Sequence, residues 1–171
     1  MEETPQEYRR RLRGYLGKQN PFTLMAATTA RLKRLLRRCS RADVVWRPAP
    51  KKWNIAEIVA HLAEVEIVLA YRLRMIASVK GVPIQAMNQN KWMLNAGYLV
   101  KDMQGAVELF DIVRNANLRF VRSLSQKKRN QYGFHAERGK ESIMMVIKMY
   151  AGHDLNHLMQ IEAILRRRDR L

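Results

Sequence analysis

Near its C-terminus the chain reads His153-Asp154-Leu155-Asn156-His157, and far upstream it carries His61. On a helix, residues four apart lie one above the other on the same face, so His153 and His157 present two imidazoles to one point. A pair at that spacing is a two-pronged ligand for a divalent cation. An imidazole from a second helix completes a three-nitrogen set that leaves a position open for water or substrate. Neutral imidazoles suit zinc, nickel and ferrous iron alike, and the sequence does not select among them. Asp154 stands where the zinc-peptidase pattern H-E-x-x-H places its glutamate, with a side chain one methylene shorter. It reads better as a residue that orients a ligand imidazole than as a general base. Taken singly, each histidine has a plainer reading, a core residue with a hydrogen bond or a surface pair. Three of the chain's four histidines on the inward sides of two long helices favour a metal site.

Those faces belong to four long helical segments. Asn20-Pro21 is an N-cap followed by proline at the first helical position, and Phe22, Met25, Ala26, Thr29, Leu32, Leu35 and Leu36 follow at helical spacing. This predicts a helix from Pro21 to Cys39. Residues 41–52, with Pro48 and Pro50, read as a loop. Asn54 and Glu57 form a capping box ahead of Ile55, Ile58, Leu62, Val65, Leu69, Leu73 and Ile76, a second helix that stops before Gly81-Val82-Pro83. A less periodic crossover covers 84–100, with a short helix at Asn88 to Met93. Asp102 caps a third helix with Val107, Phe110, Val113, Ala116 or Asn117, Phe120, Val121 and Leu124 inward. After a polar connection, 130–139, Ser142 caps the last helix, whose stripe includes Tyr150, Asp154, His157 and Ile161. Alternating strand patterns and hairpin signals are absent. The predicted fold is all-α, an up-down four-helix bundle with a longer crossover between helices 2 and 3. Residues 1–19 form a basic N-terminal extension that packs on the bundle, and 20–171 form the bundle domain.

Composition narrows the function classes. The 171 residues are 47% hydrophobic, enough for one domain with its own core. The N-terminus is polar and acidic, and no stretch approaches the ~20 apolar residues of a membrane span, which points to a cytoplasmic protein. The single cysteine, Cys39, excludes an internal disulfide and a cysteine-rich zinc site, and it lacks a neighbouring base that would make it a nucleophile. With 32 Lys and Arg against 15 Asp and Glu, the net charge is +17. That excess is scattered over Arg9 to Arg13, Arg31 to Arg41, Lys127 to Arg129 and Arg166 to Arg170, without interleaved aromatics or a recognition motif. Weak, sequence-independent attraction to nucleic acid is the most it implies.

Two segments resemble a known family. Lys52-Trp53-Asn54-Ile55-Ala56-Glu57-Ile58-Val59-Ala60-His61-Leu62 is similar to the W-[ST]-x-x-E-[IV]-x-x-H-[LI] segment of the DinB/YfiT-like superfamily, and His153-Asp154-Leu155-Asn156-His157-Leu158-Met159-Gln160-Ile161 to its H-D-x-x-H-x-x-Q-[IL] signature. Gly133-Phe134-His135-Ala136-Glu137-Arg138-Gly139 is similar to the G-x-H-x-E-x-G connector before the last helix. The resemblance implies a bundle, often homodimeric, that holds a divalent metal through His61, His153 and His157. It also implies a small-molecule substrate and, in some relatives, a low-molecular-weight thiol such as bacillithiol or mycothiol as cosubstrate. One departure stands out: relatives often carry acidic residues in D-Q-D-x-W, where this chain has Asn88-Gln89-Asn90-Lys91-Trp92, and amides cannot transfer protons.

Further candidates surround the histidines. His135 in the connector is a candidate proton shuttle at the mouth of the bundle. Glu57 and Glu64 flank His61, and Glu57 is the capping acid. Trp53, Trp92, Tyr71 and Tyr150 are candidates to line a pocket, and Arg72 and Arg74 to receive an anionic substrate. Two function classes follow. One is a metal-dependent enzyme, a thiol-dependent transferase or a related isomerase or hydrolase, whose ion activates thiol or water. The other is a stress-related binding module with a structural metal and a basic surface for an acidic partner. An open cleft over the histidines favours the first, a closed site the second.

Overall fold

The computed structural model describes residues 3–168. The outermost ends of both expected segments, and Arg170 of the last basic run, lie outside the described residues. Four long helices form the bundle: α2 (Pro21–Leu36), α4 (Ile55–Ser78), α7 (Met103–Ser123) and α9 (Ile143–Arg168). Each starts where a side chain can take up the free N–H groups of a first turn. Asn20 accepts from Phe22 and Thr23, Asn54 and Glu57 make a reciprocal capping box, Asp102 accepts from Gly105, and Ser142 accepts from Met145. The first of these helices ends at Leu36, one turn short of Cys39.

Helices α4 and α7 each pack on the other and α4 also packs on α9, while α2 packs on α7 and α9. Side-chain pairs fix their directions. Glu66 meets Arg114 and Arg74 meets Asn117, so α4 and α7 run parallel. Thr28 meets Asp154 and Arg31 meets Glu162, so α2 and α9 also run parallel, and His61–His153 with Arg72–Tyr150 sets α9 against α4. Parallel neighbours demand a connection that travels the length of the bundle, which is why the expected long crossover joins α4 to α7. It carries β1 (Val82–Ile84), α5 (Gln89–Asn95) and α6 (Gly97–Lys101).

The absence of strands expected from the sequence is corrected by a three-stranded sheet. The crossover strand β1 pairs in parallel with β2 (Tyr132–His135), which forms an antiparallel hairpin with β3 (Gly139–Ser142). The strands are three or four residues long, too short to show alternation, and β1 contains Pro83. Gly133 permits the close pairing, since a Cβ there would lie 2.6 Å from the Val82 carbonyl oxygen, and Gly139 turns the hairpin with φ +72°. The 41–52 stretch, expected to be wholly loop, begins with α3 (Arg41–Val45), capped by Ser40 and Asp43. A further short turn, α8 (Gln126–Arg129), precedes β2.

The N-terminal segment is a helix, α1 (Pro5–Leu16), started by a Thr4–Glu7 capping box. Leu12 and Leu16 are buried, and the backbone of Leu12 lies against Gly152 of α9 so closely that a Cβ on Gly152 would come within 2.0 Å of the Leu12 carbonyl oxygen. Among the described residues no helix is long and apolar enough to cross a membrane.

The bundle interior divides into two apolar clusters, one around Met25, Leu69, Leu73 and Ile147, the other around Leu32, Leu62, Phe110 and Ile161. Between them each helix contributes buried polar residues: Thr28 and Thr29, His61 and Glu66, Arg114 and Asn117, and 153–157 without Leu155. Ala26, assigned inward by periodicity, is exposed, and Thr28 is buried instead.

Candidate metal centre

The polar layer contains the three histidines. His61 enters from the second turn of α4, held in phase by Ile58 and Leu62, and His153 and His157 enter from successive turns of α9. The Nε2 of His153 lies 3.0 Å from that of His61 and 3.1 Å from that of His157. The candidate ligand atoms of all three lie within 4.8 Å of one another. Nitrogens 3.0–3.1 Å apart and each ~2.0–2.1 Å from a common ion would subtend about 95° at it, compatible with zinc-type bonding distances.

Charge and hydrogen bonding suit such an ion. His157 donates from Nδ1 to the Gln160 side-chain oxygen at 2.9 Å, which fixes the tautomer and leaves the Nε2 lone pair facing its neighbours. Burial, then proximity to His157 and His153, holds His61 well below the usual imidazole range. Burial first, then His153, does the same to His157, while burial and the Arg114 guanidinium push His153 down to about 3. Three neutral nitrogen donors converge without a carboxylate among them, a set that fits a borderline divalent cation. Trp53 roofs the group, its ring 4.6 Å from His61 and 6.1 Å from His157 between centroids.

Asp154 stands away from the imidazoles. Its two oxygens accept from Arg114 at 2.6 and 2.9 Å, and one also accepts from the Thr28 hydroxyl at 2.8 Å. Arg114 reaches Glu66 at 2.7 Å and the Met25 carbonyl at 3.0 Å, and Asn117 donates to Glu66 at 3.0 Å. This network joins all four bundle helices directly behind His153. Burial raises the Glu66 carboxyl above its usual range, against the pull of Arg114. The orienting bond expected from Asp154 is made instead by Gln160, to His157. Sequence reading missed Glu66, Arg114 and Thr28, yet a signal was there. Phe110-Arg114-Leu118 and Leu62-Glu66-Leu69 each put a charge in phase with an apolar stripe, and the charges have opposite sign.

The histidines form the floor of a cleft of about 1060 Å³, lined among others by Trp53, Tyr150, Arg72, Asn88, Asn90 and Asn156. Trp53 and Tyr150 therefore line it, whereas Tyr71 and Trp92 are exposed elsewhere, at 63% and 41%. Arg74 lies over the Phe120 ring at the surface and Arg72 faces the cleft. His135 sits on β2 outside the lining, buried, its Nδ1 accepting from the Glu137 N–H at 3.1 Å. Desolvation pushes it down to about 4.

Comparisons with known proteins agree with this architecture. YfiT from Bacillus subtilis, described as "a probable metal-dependent hydrolase with an unusual four-helix bundle topology", superposes with a TM-score of 0.82 over 90% of each chain at 15% identity. A mycothiol-dependent maleylpyruvate isomerase superposes with a TM-score of 0.64, also at 15% identity, over 81% of this chain and 58% of the isomerase. At such identities the likeness is one of fold. No curated protein matches the sequence. The model of the DinB superfamily matches residues 24–161, which span both histidine motifs and most of the chain, and the protein belongs to that superfamily.

Proposed function

We propose that this protein is a divalent-metal-dependent enzyme acting on a small molecule, with His61, His153 and His157 as the metal ligands and a low-molecular-weight thiol or water as the nucleophile. The observation that carries this reading is the convergence of three buried Nε2 atoms at the floor of an open cleft. A structural metal needs no entrance, whereas a substrate does, so the cleft favours chemistry over the binding-module alternative. A bound ion supplies Lewis acidity and lowers the pKa of a thiol or water. The protein's part is to keep the imidazoles neutral and aimed. Burial does the first, and Gln160 and the close-packed Trp53 serve the second. Asn88 and Asn90 at the rim can donate and accept hydrogen bonds but cannot carry a proton, so they serve substrate positioning. The thiol is suggested by the likeness to the mycothiol-dependent isomerase, and a homodimer by the family resemblance.

Elemental analysis of untagged protein, followed by thiols and electrophiles offered to metal-loaded enzyme, tests the proposal. One equivalent of divalent metal is expected, His157→Ala should lose most of it while His135→Ala retains it, and His61→Ala should abolish turnover. Equal metal content in the two variants would remove the basis for the assignment.

A further inference from the structure

Among the described residues, one buried cation in the cleft wall lacks a counter-charge. Arg11 grips Glu3 at 2.7 and 2.8 Å, and Arg138 grips Glu141 at 2.7 and 3.0 Å. Lys51, Lys52 and Arg167 also line the cleft but are exposed to water. Arg72 is different: it is buried at 7% exposure, and among the described residues it has no ion-pair partner. Its guanidinium donates only to the Tyr150 hydroxyl at 3.3 Å and the Gln85 carbonyl at 2.8 Å. Five N–H donors less those two leave a fork with capacity for a planar acceptor. A guanidinium taken out of water without an anion is costly to hold, and the cost is relieved when an anion arrives.

Tyr150 extends the same feature. Its hydroxyl accepts from Arg72, which leaves its own proton to donate, and its ring is buried in the cleft wall 6.1 Å from the His153 ring between centroids. A ligand group held at Arg72 and Tyr150 thus shares the cleft with the imidazoles. Charge balance sets the kind of group. A single unpaired guanidinium matches one negative charge, whereas a phosphate ester dianion would bring a second, uncompensated charge into a partly desolvated site.

We propose that Arg72 and Tyr150 are the receiving end of the cleft for a carboxylate of the substrate, whose reactive carbon lies a few bonds away, over the histidines. This rests on the reading above that the histidines are the reaction end. It makes the substrate a small carboxylic acid and Arg72 a specificity-determining residue.

The test uses the full-length protein freed of metal with a chelator, so that no ion can attract the probe. Crotonate, crotonamide and methyl phosphate are titrated calorimetrically. Crotonate should bind, while crotonamide and methyl phosphate should bind at least about tenfold more weakly, the scale of losing one charge-assisted pair. Arg72→Met should weaken crotonate by a similar factor, and Tyr150→Phe, which removes only the hydroxyl, by a smaller one. If Arg72→Met fails to fold, Tyr150→Phe and the amide comparison decide the matter. No detectable crotonate binding, equal affinity for acid and amide, preference for the phosphate, or indifference to Tyr150→Phe and to a folded Arg72→Met would each overturn the proposal. The two readings fail separately. Protein that binds no metal yet binds crotonate through Arg72 loses only the proposed chemistry; protein that loads metal on its histidines but ignores Arg72 loses only the carboxylate subsite.

Discussion

Gly152→Ala should destabilise the protein although it replaces glycine by alanine in mid-helix. Helix propensity alone favours the change by ~1 kcal/mol. The added Cβ, however, would stand 2.0 Å from the Leu12 carbonyl oxygen, 2.6 Å from its carbon and 3.1 Å from its Cα. These are backbone atoms, so no rotamer relieves the clash, and α1 must retreat by about 1.4 Å or more to reach ordinary contact. Leu12 and Leu16, at 0% and 4% exposure, lose contact as it does, and so does the Arg11–Asn156 bond of 2.9 Å. Burial of each leucine contributes about 1.5–3 kcal/mol, of which a gap of that size forfeits at least about half. The loss is then at least ~1.5–3 kcal/mol from packing and ~1 kcal/mol from the hydrogen bond, for a net destabilisation of at least about 1.5–3 kcal/mol. Urea denaturation of metal-free protein, followed by circular dichroism, measures it. Gly14→Ala is the control: it lies within α1 with nothing within 4 Å of its Cβ, and should gain about 0.5–1 kcal/mol. If both variants gained stability equally, the close docking of α1 on α9 would be wrong.

Three further outcomes follow. Arg114→Met should cost about 3–5 kcal/mol by leaving Glu66 and Asp154 buried without their cation, and adding Glu66→Gln should recover part of it; a loss under ~1 kcal/mol in the melt would contradict the network. Metal-free protein should lose stability as pH falls below ~6.5, because the unfolded chain protonates His153 there while the folded chain resists down to about 3. At pH 4.5 that one residue accounts for ~2–3 kcal/mol, and a denaturation midpoint unchanged between pH 7 and 4.5 would refute it. Binding to DNA or RNA should be weak, indifferent to sequence and lost with salt, and a sequence-selective complex of ~10⁻⁸ M at physiological ionic strength would refute this.

What was legible in the sequence was whatever local chemistry determines. Asn20, Asn54, Asp102 and Ser142 marked the starts of the four bundle helices because capping is settled within three residues. The inward phase of His61, His153 and His157 followed from the stripes that carry them. The polar layer behind them was legible only in part: Arg114, Glu66 and Asp154 each lie in phase with an apolar stripe, but their pairing with one another is settled only where three helices meet. The sheet escaped for a related reason. Residues 82–84 and 132–135 are strands through pairing with each other, a partnership that no local pattern announces. Trp53 and Trp92 were indistinguishable as aromatics near helix starts, and only the path of the chain put one on the histidines and the other in water.

His61 and His153 are 92 residues apart, and the helix that carries two of the three imidazoles is the last of the described helices to be made. During synthesis the chain can build α4 and its parallel neighbour α7 while the histidine of α4 has no companions. The site is therefore closed by a long-range contact, late in assembly and against the entropy of a long loop. Until α9 docks, Arg114 and Glu66 have each other but lack Asp154, and His61 lies along an open groove. Competence at the histidines is thereby a property of the finished chain: a product truncated before residue 153 could retain three of the bundle's helices and have no centre at all.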